Sequence, residues 1–227
     1  MMKTYNALLA ILAIATATTA YAASDGQPRW MDPSVNRINT MPLHASFFAF
    51  ESEDLALTND KSRSSRYLSL EGEWKFNFSK DHDKAPKNFW RTDFDDSRWV
   101  SFPVPGLFEM HGYGDKIYKN IGYAWAKQFK PNPPYIEEKN NYTGSYRRIV
   151  NIPSSWNGQQ IIMYVGSATS NLTLWVNGQE VGYSEDSKDA VEFDLTSYLI
   201  GWAVSLALFF LGLMLFSRVE RTFMDTI

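Results

Sequence analysis

Asn171 to Leu199 reads NLTLWVNGQEVGYSEDSKDAVEFDLTSYL, and it contains a hairpin, a loop and a strand in one continuous piece. Leu172, Leu174 and Val176 alternate with Thr173, Trp175 and Asn177, the period of two expected of a strand whose faces meet different surroundings. Asn177-Gly178 supplies the two residues that tolerate positive φ in a type I′ turn, so the chain should reverse and return over Gln179 to Gly182. A polar loop, Tyr183 to Ala190, and a further strand, Val191 to Leu195, complete the expectation. Upstream, LEGEWKFNF (Leu70 to Phe78) alternates Trp74, Phe76 and Phe78 against Glu73, Lys75 and Asn77, which predicts a half-buried strand with an aromatic core face. Gly144 to Ile152 and Ile161 to Val165 read as two more strands, separated by Pro153 to Gly158.

The ends of the chain differ in character from its middle. Met1 to Ala22 has the parts of a secretory signal: Lys3, an apolar Ala-rich stretch from Ala7 to Ala20, and the small-residue site Ala20-Tyr21-Ala22. From Ala23 to Arg66 the composition is polar and charged, and Pro33 and Pro42 interrupt any helix. An extended arm lying on the domain, followed by a connector or surface helix from Glu51, is expected there. Tyr198 to Phe216, YLIGWAVSLALFFLGLMLF, carries no charge. Its roughly 19 residues would span about 28 Å as a helix, close to the hydrocarbon thickness of a bilayer, and predict a transmembrane helix. Arg218 and Arg221 follow, so residues 217–227 would form a cytoplasmic tail with the globular part outside.

Lys+Arg 22 against Asp+Glu 25 gives a net charge of −3, which leaves no basic footprint for nucleic acid. With Cys 0 there is neither a disulfide nor an acylation site for a lipoprotein anchor. Asn141-Tyr142-Thr143 and Asn171-Leu172-Thr173 fit the short glycosylation pattern, which recurs by chance. Among the acidic residues, Asp93, Asp95 and Asp96 have the spacing of Asx-turn and capping groups, with Trp99 placed inward. Pro103 and Pro105 confine their extended segment to a sheet edge.

Several stretches in order carry a family resemblance: NRINTMPLHASF from Asn36, SLEGEWKF from Ser69, FDDSRWVSFPVPGLFEMHGYGDKIYKNIGYAW from Phe94, NPPY from Asn132, GSYRR from Gly144, and LWVNGQEVGYSEDS with EFDLTSYL. Residues 36–199 thereby resemble the N-terminal sugar-binding domain of glycoside hydrolase family 2, in its bacterial β-galactosidase branch. The resemblance implies an all-β jelly-roll sandwich over residues 67–199 and a parent reaction that hydrolyses terminal β-galactosides with retention. It also implies that Asn120, in the Tyr118-Lys119-Asn120 segment, sits on a loop that hydrogen-bonds the galactosyl ring, with Tyr118 and Trp125 as further glycan contacts. An amide can donate to and accept from sugar hydroxyls. Gly122 to Phe129 is longer than the usual link to the Asn-Pro-Pro element, so Trp125 and Phe129 would reshape one wall and with it the specificity.

Asp32, the Val35 carbonyl and Glu185 fall near positions that hold a structural Mg²⁺ in some relatives, and hard oxygen donors suit that ion. The family's Na⁺ and catalytic Mg²⁺ sites have no counterpart here. The two catalytic carboxyls of the family belong to a downstream barrel. Glu109, Asp115, Glu137, Glu185 and Asp186 match no catalytic motif, so no catalytic residue is nominated and the chain is expected to be inactive alone. The resemblance is read as stopping after Leu199, before a closing strand. Residues 201–227, through RVERTF at Arg218 to Phe223, resemble instead the last helix and tail of an ABC-type polysaccharide export permease. That pattern implies a truncated hydrolase joined to a permease tail, or else a membrane-anchored carbohydrate-binding module.

Overall fold

The computed structural model describes residues 28–116, 132–186 and 188–198, together with Phe210, Leu211 and Met214. Their secondary structure is mostly β, with a short α-helix (Glu53–Thr58), a few further helical residues toward the C-terminal end and several single 3₁₀ turns, an architecture consistent with a β-sandwich domain. Eight strands are formed: β1 (Arg37–Ile38), β2 (Gly72–Ser79), β3 (Val100–Val104), β4 (Thr143–Arg147), β5 (Ile162–Val165), β6 (Leu172–Val176), β7 (Gln179–Ser184) and β8 (Val191–Asp194). Their pairings are all antiparallel, in three sets ordered β1-β7-β6, β3-β2-β4 and β5-β8.

The β6–β7 hairpin forms around Asn177 and Gly178, whose φ values of 52° and 83° are those of the expected turn. Its second strand runs further than the sequence suggests. Tyr183 and Ser184 belong to β7, not to the following loop, because Tyr183 pairs with Thr173 on one side and with Ile38 on the other and is buried. Between Leu174 and Trp175 the register shifts: Leu174 faces Gly182 while Trp175 faces Glu180, which leaves Val181 as the extra residue of a bulge. Val181 points into the aliphatic core with Val191, Phe193 and Leu195, and Leu172, Leu174 and Val176 pack against it.

The arm is built into this half as a strand. Ile38 pairs with Tyr183, the Asn39 side-chain amide donates to the Val181 carbonyl at 2.6 Å, and the Met41 N–H donates to the Glu192 carbonyl of β8 at 2.8 Å. The arm backbone thus joins β7 on one side to β8 on the other. Gly182 makes this approach possible, since a Cβ there would lie 2.5 Å from the Ile38 carbonyl oxygen and 2.7 Å from the Phe193 ring. Asn39 takes a left-handed conformation, φ 54°, to make the turn out of β1.

The other half is aromatic. Trp74, Phe76 and Phe78 project from β2, and Phe76 is surrounded by Phe102 at 4.6 Å, Tyr146 at 4.8 Å and Tyr113 at 5.1 Å between ring centroids. Pro103 lies in β3, an edge strand of this sheet, where no ladder hydrogen bond is forfeited. β4 ends at Arg147, five residues short of the expected Ile152; beyond it Ile149 is 92% exposed and gains no burial from continuing the strand. Two contacts tie the halves together. Trp90 stacks on Trp175 of β6 at 5.3 Å and 11°, and Arg147 of β4 holds the same loop by donating to Asp96 at 2.8 Å and to the Phe89 and Arg91 carbonyls.

Of the expected end segments, the signal sequence over residues 1–22 lies outside the described residues, and so does most of the run over residues 198–216. Phe210, Leu211 and Met214 in that run are helical and more than half of each is exposed or nearly so. No helix among the described residues is long and apolar enough to cross a membrane.

Candidate functional site

Tyr118, Asn120 and Trp125 lie outside the described residues, but the chain entering and leaving their segment is placed. On the entering side, the 3₁₀ turn Phe108–His111 closes with Gly112 in the left-handed region, φ 89°, and the Tyr113 N–H returns to the Phe108 carbonyl at 3.1 Å. Tyr113 then packs on Phe76 and Phe78 at 5.1 and 5.6 Å. Gly114 follows at φ 69°, and a Cβ at that position would lie 2.9 Å from the Tyr142 ring, so the close crossing there requires glycine.

Tyr142, further along the returning chain, meets the entering side. Its hydroxyl donates to the Asp115 carboxylate, its ring sits 5.5 Å from Phe78, and the bond to Asp115, helped by partial burial, pushes its pKa up to about 12. On the returning side the Tyr135 N–H donates to the Asn132 carbonyl at 2.8 Å, and the Asn140 N–H donates to Asp81 at 2.9 Å. The resulting surface presents the rings of Phe78, Tyr113 and Tyr142, the exposed side chains of Leu107 and Met110, and the polar pair Asp115–Tyr142. Flat rings beside hydrogen-bonding groups suit a ligand with apolar C–H faces and a rim of hydroxyls. From sequence, Gly112-Tyr113-Gly114-Asp115 reads as a turn cluster. The glycine spacing at Gly112 and Gly114 hints at the crossing, whereas nothing local marks Tyr142 as its partner.

Asp32, Val35 and Glu185 are drawn toward one end of the β1–β7 pairing. The Glu185 N–H donates to the Asn36 carbonyl at 3.0 Å, and the Val35 N–H closes a turn on the Asp32 carbonyl at 3.0 Å. One oxygen of each carboxylate is engaged internally: Asp32 Oδ1 accepts from the Ser34 N–H and hydroxyl, and Glu185 Oε1 accepts from the Tyr183 hydroxyl at 2.6 Å. Among the described residues no group of three or more His, Asp or Glu gathers where it could hold a metal ion. The donor set is therefore two half-committed carboxylates and one carbonyl, a partial fit to a hard cation.

Several of the remaining acids are engaged in the fold. Asp93 forms a two-point pair with Arg91, each bond 2.8 Å; Asp95 accepts from the Ser97 N–H at 3.0 Å; and Asp96 accepts from Arg147. Asp186 accepts from the Asp189 and Lys188 N–H groups and from Arg37 at 3.1 Å, which holds its carboxyl below the usual range. A Ser97 backbone bond does the same for Asp95, and the Arg91 guanidinium for Asp93. Wherever a carboxyl among the described residues has a displaced pKa, hydrogen bonds have moved it down, toward the charged form.

Residues 67–212 match the family model described as glycosyl hydrolases family 2, sugar binding domain. The match runs past Leu199, where the resemblance was expected to stop, and into the apolar run. A β-galactosidase of Priestia megaterium is 35% identical over 179 residues, covering 78% of this chain and 17% of that protein. The β-galactosidase large subunit of Leuconostoc lactis is 34% identical over 185 residues, covering 75% of this chain and 29% of that protein. A solved Bacteroides uniformis β-glucuronidase aligns over 57% of this chain and 12% of its own, with 22% identity and a TM-score of 0.40. The chain spans less than a third of the length of these curated relatives. With the family model covering most of its length, the chain belongs to glycoside hydrolase family 2, by way of that family's sugar-binding domain.

Proposed function

We propose that this chain supplies the carbohydrate-recognition part of an exported β-galactosidase-type hydrolase, a jelly roll that presents the segment after Asp115 to terminal β-galactosides. The observation that carries this reading is the 34–35% identity to β-galactosidases over three quarters of the chain, in the stretch that includes that segment. The convergence of Gly114, Asp115 and Tyr142 at its root supports it. Asn120 hydrogen-bonds the sugar ring, and Tyr118 and Trp125 supply flat contacts. A structural Mg²⁺, where present, takes oxygens from Asp32, the Val35 carbonyl and Glu185. Bond cleavage belongs to the part of such proteins that lies beyond the matched stretch, since a retaining glycosidase needs two carboxyls about 5 to 5.5 Å apart and one of them protonated. Titration calorimetry should detect galactose or lactose binding that Asn120→Ala abolishes, while a chromogenic galactoside stays uncleaved by the chain alone. Turnover by the isolated chain, or no heat with either sugar, overturns the reading.

A second reading rests on the uncharged run over residues 198–216. If it inserts as a helix, the sugar-binding part is tethered to the inner membrane and faces outward, with the permease-like residues 217–227 inside. The family match to residue 212 favours a place for the first part of that run in the domain itself. Release of the chain from membranes by alkaline carbonate decides for the domain, and retention decides for the tether.

A further inference from the structure

We propose that Trp30 and His82 form a pH-sensitive clasp through which the arm holds the two halves of the domain together. Adjacent residues of the arm reach opposite halves. Arg29 pairs with Glu180 of β7 and lies 5.9 Å over the Tyr183 ring, whereas Trp30 meets the His82 ring edge to face, 4.4 Å between centroids and 73° between planes. His82 belongs to the aromatic half, since its Nδ1 is 3.0 Å from the Thr143 hydroxyl of β4 and its backbone N–H donates to the Glu138 carbonyl at 2.9 Å.

The indole N–H of Trp30 is buried and has no hydrogen-bond partner among the described residues. A buried donor is costly without an acceptor. No acceptor among the described residues offsets that cost, so the contact of Trp30 with His82 rests on ring packing. An imidazolium in this half-buried site beside Lys87 is poorly solvated and repelled, so protonation of His82 favours separation of the two rings. The charged groups around His82 are Lys87, which opposes protonation, and Glu138 and Asp83, which favour it, with Thr143 facing the ring from β4. Burial and Lys87 together hold the His82 pKa below 6.5. The sign is therefore fixed: the clasp is fully formed above the unfolded value and is lost as pH falls through the lower, folded one.

Hydrogen–deuterium exchange on the full chain, corrected for intrinsic rates, tests this at about pH 7.5 and about pH 5.5. The Met31 and Asp32 amides, bonded to the Pro28 and Arg29 carbonyls, report on the clasp, and the β2–β3 amides report on the fold. In the wild type the arm amides should lose protection severalfold at the lower pH while the β2–β3 amides do not. His82→Gln, which cannot take up a proton, should give arm protection that is the same at both pH values. Trp30→Ala, which removes the ring that packs on His82, should weaken protection at the higher pH and flatten its pH dependence. The proposal fails if either variant keeps the wild-type pH response, or if the wild type shows none.

Discussion

The two halves of the domain are held by different means. Around β7 and β8 the core is aliphatic, and an arm from the far end of the sequence completes the main-chain pairing. Around β2 the core is a cluster of rings that depends on close neighbours in the sheet and on the turn at Phe108–His111. Both halves contain antiparallel ladders, but only the first depends on the arm for a pairing across most of the described chain, whereas the second adds a ring cluster to its own three strands. Damage to the arm should spread through the first half and spare the second, and damage to the rings should do the reverse.

The largest effect is expected from removing residues 28–41. That change bares the edges of β7 and β8 together and uncovers Tyr183, which is 1% exposed. Cooperative unfolding in urea should be lost for the β6–β8 region while exchange protection persists in β2 and β3; equal loss in both would dissolve the distinction. Next come Phe193→Ala and Phe76→Ala, one in each core, each expected to cost about 3 to 5 kcal/mol. Their exchange footprints should not overlap.

Arg147→Ala strikes the link between the halves. Its side chain and that of Asp96 are partly buried, 19% and 29% exposed, and losing this charge-assisted bonding should cost about 1.5 to 3 kcal/mol. Lysine cannot reproduce the fork that reaches Asp96 and two carbonyls, so Arg147→Lys should recover only a minor share. A chemical-denaturation midpoint for each variant provides the check. Gly178→Ala, at φ 83°, should cost about 1 kcal/mol and act on the hairpin alone.

The smallest effect concerns Glu51, whose carboxylate accepts from the Ser64 hydroxyl and from the Ser65 N–H and hydroxyl. Bonds from Ser65 and Ser64 bring its pKa to about 2 from 4.5. The folded value is depressed, so its contribution is complete above about 4.5 and disappears as pH falls to about 2. Local exchange near Ser65 should rise over that window, and Glu51→Gln should remove the dependence.

Local signals were legible and distant pairings were not. Asn177-Gly178 and the Trp74, Phe76, Phe78 alternation each specify their element within a few residues, and both are found where the sequence puts them. Tyr183 was assigned to a loop because polar residues follow it; its place in β7 is set by Ile38, far away in sequence. The same non-locality hid the arm's role as a strand, since nothing in Arg37-Ile38-Asn39 reveals that two strands wait on either side. At the candidate site, Gly112 and Gly114 could be read as a turn, but the reason for Gly114 lies in the Tyr142 ring. Glu185 meets the arm at Asn36 only because the arm pairs with β7.

The arm also sets an order of events. Asn39 is separated from its partner Val181 by 142 residues, a span that takes roughly 7 to 28 s to synthesise at ordinary elongation rates. The arm strand therefore waits for β7 to be made before it can be seated. Until then the open edge of β7 that will receive it is a surface a chaperone would meet.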